Sequence, residues 1–162
     1  CIGLGMLLYA CIGLWLLRKI LLRYFNEGAA ALTLLTIAFA TNYLNYAAVD
    51  GAMTHNTLFT LYCVLVYTTI RFYDSPSFFK AAVIGTCAGL ATLIRPTEII
   101  SVFIPLLWGI DSFKALSERL RFFLLNYKFL IIAGVLMIFF ITLQPLYWKL
   151  ATGNWIVYSY QD

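Results

Sequence analysis

The sequence predicts an all-α protein: a polytopic transmembrane bundle of about six spanning helices plus one amphipathic helix on the cytoplasmic surface. Three observations carry that reading. Of the 162 residues, 63% are hydrophobic and only 11% are charged, whereas a soluble domain carries about a quarter charged residues. The mean hydropathy is +0.89, and the apolar residues come in runs close to the length that crosses the hydrocarbon, about 20 residues as a helix. The charges fall in short patches between those runs, and the basic ones recur in alternate loops.

The expected spans follow in order. Residues 1–17 form the first, closed by Arg18-Lys19, with Arg23 beyond. Residues 29–48 form the second, and its last third turns polar and aromatic at Thr41-Asn42-Tyr43-Leu44-Asn45-Tyr46. After Asp50-Gly51 comes the third, 54–70, closed by Arg71. Asp74-Ser75-Pro76-Ser77 reads as a turn, because proline fixes φ and Ser or Asp caps a following helix. The fourth span is 78–94 and the fifth 96–110. Residues 112–126 carry Phe113, Leu116, Leu120 and Phe123 at helical spacing between Lys114, Glu118, Arg119 and Arg121, the pattern of a helix lying in the interface. The sixth span is 129–150. Pro105 and Pro145 are expected kinks, tolerable inside a membrane bundle. No internal repeat or low-complexity tract is present.

Six crossings put Arg18, Lys19, Arg23, Arg71, Lys80, Lys114, Arg119, Arg121 and Lys128 on one side, nine of the 11 Lys and Arg residues. Only Arg95 and Lys149 fall opposite. That asymmetry makes the first side cytoplasmic. Making the fourth and fifth runs one re-entrant pair would move the Lys114–Lys128 cluster to the wrong side. The Asn42–Asn56 edge, the Arg95 turn and the aromatic tail at Tyr147, Trp148, Trp155, Tyr158 and Tyr160 then share the extracytoplasmic face. The net charge of +4 does not indicate nucleic acid, since the basic residues are dispersed over loops. Cys1, Cys11, Cys63 and Cys87 sit inside apolar runs without metal-ligand or redox spacing. The chain begins within an apolar run and ends within a polar one, as expected of part of a longer protein, and no cleavable signal peptide is recognisable.

Arg95 is the leading candidate for chemistry. Pro96 suits the first position of a helix, so Arg95 takes the N-cap, with its guanidinium and the helix's free N–H groups near one another. That arrangement suits an anion such as phosphate. The competing reading is an interfacial arginine that snorkels to headgroups or pairs with Glu98 three residues on, and composition alone leaves the two even. Asp50 and His55 lie on the same face and could cap a helix, act as general base or ligate a metal; capping is the favoured role for each alone. Asn42 and Asn45 are set for interhelical hydrogen bonds or for a hydroxyl-rich ligand. Glu98 reads as a structural partner more than a base. No cofactor is indicated, and a divalent metal lacks a ligand cluster to support it.

The run Met53-Thr54-His55-Asn56-Thr57-Leu58-Phe59-Thr60-Leu61-Tyr62, then Arg71, a short turn, and Gly85-Thr86-Cys87-Ala88-Gly89-Leu90-Ala91-Thr92-Leu93-Ile94-Arg95-Pro96 resembles the GT-C superfamily of membrane glycosyltransferases. The likeness is to the protein O-mannosyltransferase and aminoarabinose transferase branch, particularly its bacterial members, and covers most of residues 29–110. It implies transfer of a sugar from a polyprenyl-phosphate-linked donor to a hydroxyl of a glycan, lipid or protein acceptor, on the outer face of the plasma membrane. By that likeness Arg95 matches a family Lys/Arg and would bind the donor phosphate. His55 departs from an acidic residue common near that place, with Asp50 a nearby substitute. The resemblance also implies a catalytic carboxylate in a loop upstream of Cys1. A transporter that binds an anionic substrate at the Arg95 helix break is the alternative; it lacks a second break in the sequence. A scaffold subunit with Arg95 paired to Glu98 is a third reading.

Overall fold

The computed structural model describes residues 2–49 and 54–157, and every regular element among them is helical. In chain order these are α1 (Ile2–Leu21), α2 (Glu27–Ala40), a π-helical turn (Asn45–Val49), α3 (His55–Asp74), α4 (Phe78–Ile94), a 3-10 helix (Pro96–Val102), α5 (Phe103–Leu107), α6 (Phe113–Leu125) and α7 (Tyr127–Thr152). Local chemistry sets several of the boundaries. Asn26 caps α2 by accepting from Ala29 N–H, Ser77 caps α4 by accepting from Lys80 N–H, and Ser112 caps α6 by accepting from Ala115 N–H. Arg95 and Pro96 end α4 at Ile94, because the residue before proline is pushed to extended backbone; Arg95 has φ −143° and ψ 118°.

Two helices among the described residues, Gly3–Leu21 and Tyr127–Thr152, are long and apolar enough to cross a membrane on their own. α7 runs unbroken through Pro145. α3 is as long as α1 but carries His55, Asn56, Arg71 and Asp74, and so is less apolar. α4, at 17 residues, and α2, at 14, are shorter.

The expected single helix over 29–48 is broken. α2 stops at Ala40, and Thr41 follows it in extended backbone, φ −128° and ψ 175°. The Thr41 hydroxyl donates to Ile37 O at 2.5 Å and accepts from Tyr43 N–H at 3.2 Å, so one side chain takes over backbone bonding that a continuous helix would use. The chain then turns Tyr43 inward, where its hydroxyl donates to Ala10 O at 2.8 Å and its ring meets Phe59 edge-on. The expected fifth helix, 96–110, also differs: it winds as 3-10 to Val102 and as α only to Leu107. At about 2.0 Å rise per residue against 1.5 Å, the 3-10 part reaches further than an α-helix of equal length.

Cross-contacts give the directions. α1 and α3 run parallel, joined by Thr60 Oγ1 donating to Tyr9 O at 2.7 Å and, at the far end, by Arg23 on Asp74. The 3-10 helix and α5 follow α3 in the same direction, with Tyr62 donating to Glu98 near the start and Tyr73 donating to Pro105 O at 2.6 Å near the end. α4 and α7 are parallel as well: a Cβ on Gly85 would lie 2.1 Å from Ala133 O, and one on Gly89 2.9 Å from Met137 O. Only glycine permits so close an approach of two helix backbones. Successive long segments therefore reverse direction, and α3 lies at the centre, packed on α1, α4 and α5. One end of the bundle gathers Arg23, Arg71, Asp74, Lys80 and Arg119; the other gathers Tyr46, His55, Arg95 and Glu98.

Candidate functional site

The Arg95 end is built on the first half of α3. His55 opens the helix but does not cap it: Thr54 takes the N-cap, without a side-chain hydrogen bond, and the His55 ring stacks on Tyr46 with centroids 4.5 Å apart. Two turns further along α3, Tyr62 donates a short hydrogen bond to the Glu98 carboxylate. Arg95 takes the N-cap of the following helix, as its sequence context suggests, but that helix is 3-10. Glu98 N–H already bonds to Arg95 O at 2.9 Å, and Pro96 has no N–H. The first turn thus leaves Thr97 N–H as its one free backbone donor beside the Arg95 guanidinium.

The side-chain state of Arg95 sets it apart. Three basic side chains are half-buried: Lys80, Arg95 and Arg119. Lys80 Nζ donates to Ser75 O, Ser75 Oγ and Arg71 O at 2.5, 2.6 and 3.1 Å. Arg119 lies 3.6 Å from the Tyr73 ring centroid and donates to Trp108 O at 2.7 Å. Arg95 makes no side-chain hydrogen bond or ion pair with any described residue. Glu98, its sequence neighbour and expected partner, is held by Tyr62 instead. Arg18, Arg71, Lys114, Arg121 and Lys128 also have no described partner, but they are exposed. A half-buried charge with no counter-charge carries a desolvation cost that a bound anion would offset.

The other candidates do not close around Arg95. Asn42 and Asn45 are exposed and make no side-chain hydrogen bond with the described residues. Asn45 begins the π-helical turn, so the two do not share one regular helical face. Asp50 lies outside the described residues. Among the described residues, no group of three or more His, Cys, Asp or Glu side chains could hold a metal ion. Cys11 is exposed, while Cys63 and Cys87 are buried free thiols in helix packing.

Tyr62 is the site residue that sequence reading misses. Its signal is a stripe on α3: Tyr62, Thr69 and Tyr73 recur at intervals of seven and four, one face of a helix. Tyr62 and Tyr73 both bond to the segment after Arg95, and the hydroxyls of Thr69 and Ser101 are buried without a described partner.

At the opposite end Arg23 and Asp74 form a two-pronged ion pair at 2.6 and 2.7 Å. The hydrogen bond from Arg23 holds the Asp74 carboxyl below its ordinary value of 3.8, and Asp74 raises Arg23 in return. No known family, curated protein or solved structure matches this chain.

Proposed function

We propose that this chain is part of an integral-membrane glycosyltransferase of the GT-C kind, which moves a sugar from a polyprenyl-phosphate-linked donor to an acceptor hydroxyl on the extracytoplasmic face. The observation that carries the proposal is Arg95: half-buried at a helix junction and unpaired among the described residues, with the nearest carboxylate in sequence held elsewhere. A guanidinium presents a fork of donors that fits a phosphate bidentately. In this reading the six reversing segments are six crossings. The short ones gain reach from their polar ends and from the 3-10 winding after Arg95, and the basic end is cytoplasmic. The two long apolar helices, α1 and α7, support a membrane setting.

Arg95 would meet the phosphate of the leaving lipid, where negative charge develops as the glycosidic bond breaks. Donors aimed at developing charge are commonly the largest single contribution to such a step. The catalytic carboxylate is assigned to a loop upstream of Cys1. Glu98 is a poor base while its carboxylate is engaged by Tyr62, and Asp74 sits at the far end on Arg23. The bilayer delivers the donor laterally, which is in keeping with a site at its boundary.

A transporter is the second reading, and one observation favours it: α2 breaks at Thr41, giving the second broken helix that the sequence lacks. Both breaks, however, engage the same half of α3, through Phe59 and Tyr62. Paired breaks of transporters with inverted repeats meet near mid-membrane from opposite directions. The test is sugar transfer from a polyprenyl-phosphate donor by the full-length protein in membranes. Arg95→Ala is expected to abolish transfer and Arg95→Lys to retain part of it. Wild-type transfer by Arg95→Ala would refute the assignment.

A further inference from the structure

We propose that Tyr62 is a positioning residue: it holds the Glu98 carboxylate away from Arg95 and so keeps the guanidinium open to a phosphate. This inference rests on the reading of Arg95 as an anion site.

Arg95 and Glu98 are three positions apart, the N-cap and the third residue of the 3-10 helix, and side chains at those two positions of a helix start lie near one another. Glu98 is therefore the carboxylate best placed by the chain itself to neutralise Arg95. Of the other described carboxylates, Glu27 and Asp74 are at helix ends, Asp111 is in a link and Glu118 is on α6, all at the opposite end of the bundle. Yet no Arg95–Glu98 ion pair forms within 4.0 Å; among the described residues the ion pair present is Arg23–Asp74. Glu98 turns instead to α3, where the Tyr62 hydroxyl donates to it. Both residues are half-buried, so water competes weakly for that bond. Without the phenol, the cation nearest to the carboxylate in sequence is Arg95. A tethered carboxylate acts at high effective concentration, and an incoming phosphate would have to displace it. The selectivity is geometric: a neutral phenol satisfies one carboxylate without adding a cation that would itself attract the ligand.

The experiment titrates farnesyl phosphate into the protein in lipid nanodiscs, with neutral farnesol as the control for chain binding alone. Tyr62→Phe keeps the ring and removes the hydroxyl. It is expected to weaken farnesyl phosphate binding roughly three- to tenfold, the size of one freed ion pair competing for the site. The double variant Tyr62→Phe with Glu98→Gln removes the competing charge and is expected to restore wild-type affinity. A role confined to anchoring the 3-10 helix gives a different result, because the double variant still lacks the Tyr62 hydrogen bond and stays as weak as Tyr62→Phe. That result, or unchanged binding by Tyr62→Phe, overturns the inference and leaves the role of Arg95 standing. Arg95→Ala, measured alongside, is expected to bind farnesyl phosphate no better than farnesol; wild-type binding by Arg95→Ala overturns both.

Discussion

The half-buried cations at the two ends of the bundle differ in what they touch. At the basic end, Arg23 is forked onto Asp74, Lys80 is held by the α3–α4 turn, and Arg119 is stacked on Tyr73 and bonded to Trp108 O. Each ties two parts of the chain together through at least one donor, although Arg119 Nη1 is buried without a described partner. At the other end Arg95, also half-buried, has no described side-chain partner. The contrast separates cations engaged in packing from one whose side chain has no described partner. An arginine in a membrane protein is not informative by its presence; what it touches decides its role.

That contrast can be broken most severely at Arg95. Arg95→Ala is expected to reduce phosphate-dependent transfer by about 10²-fold or more, the scale seen when a donor to developing charge is removed. Its melting temperature in detergent should stay unchanged or rise, because no described hydrogen bond is lost and a half-buried charge is relieved. A large drop in melting temperature would make Arg95 a structural cation like the others. Arg119→Gln should do the reverse. It removes a cation–π contact and tilts or breaks the bond to Trp108 O, lowering stability by about 1–3 kcal/mol, while transfer per folded molecule is unchanged. Denaturation midpoints paired with specific activity check both.

Thr41→Val is expected to cost about 1 kcal/mol through its two hydroxyl bonds and to favour an α2 that continues past Ala40. Hydrogen exchange at Tyr43 N–H and its neighbours reads that extension. The smallest effect belongs to Asp74→Asn. Because Arg23 depresses the folded Asp74 value below 3.8, the pair's contribution is complete above the ordinary carboxyl value and is lost as pH falls through the folded one. The variant should therefore be slightly less stable near neutrality and lose less than the wild type on acidification to about pH 3. Equal acid sensitivity in the two proteins would show that this pair contributes nothing.

Much of the fold is written locally. Ser77 and the Arg95-Pro96 stop bound α4 at 78–94, and Ser112 with the alternating charges marks α6, since caps and proline act on the backbone beside them. The polar turn of the sequence at Thr41–Tyr46 marks the place but not the break, which goes with Tyr43 entering a core against Ala10 and Phe59. The 3-10 winding after Pro96 depends on contacts with α3 and is not a local property. The same holds for the candidate site. Arg95 stands out in the sequence as a charge between apolar runs. Its lack of a partner does not, because that depends on Tyr62 capturing Glu98 across 36 positions of chain. Spacing alone favours the neighbouring Glu98, and the tertiary contact reverses that preference.

The most direct test of Arg95 as a phosphate clamp is the 31P NMR spectrum of farnesyl phosphate added to the protein in nanodiscs. The wild type is expected to give a shifted, broadened bound resonance that weakens in Arg95→Lys and vanishes in Arg95→Ala. The same bound resonance in Arg95→Ala as in the wild type would contradict the assignment.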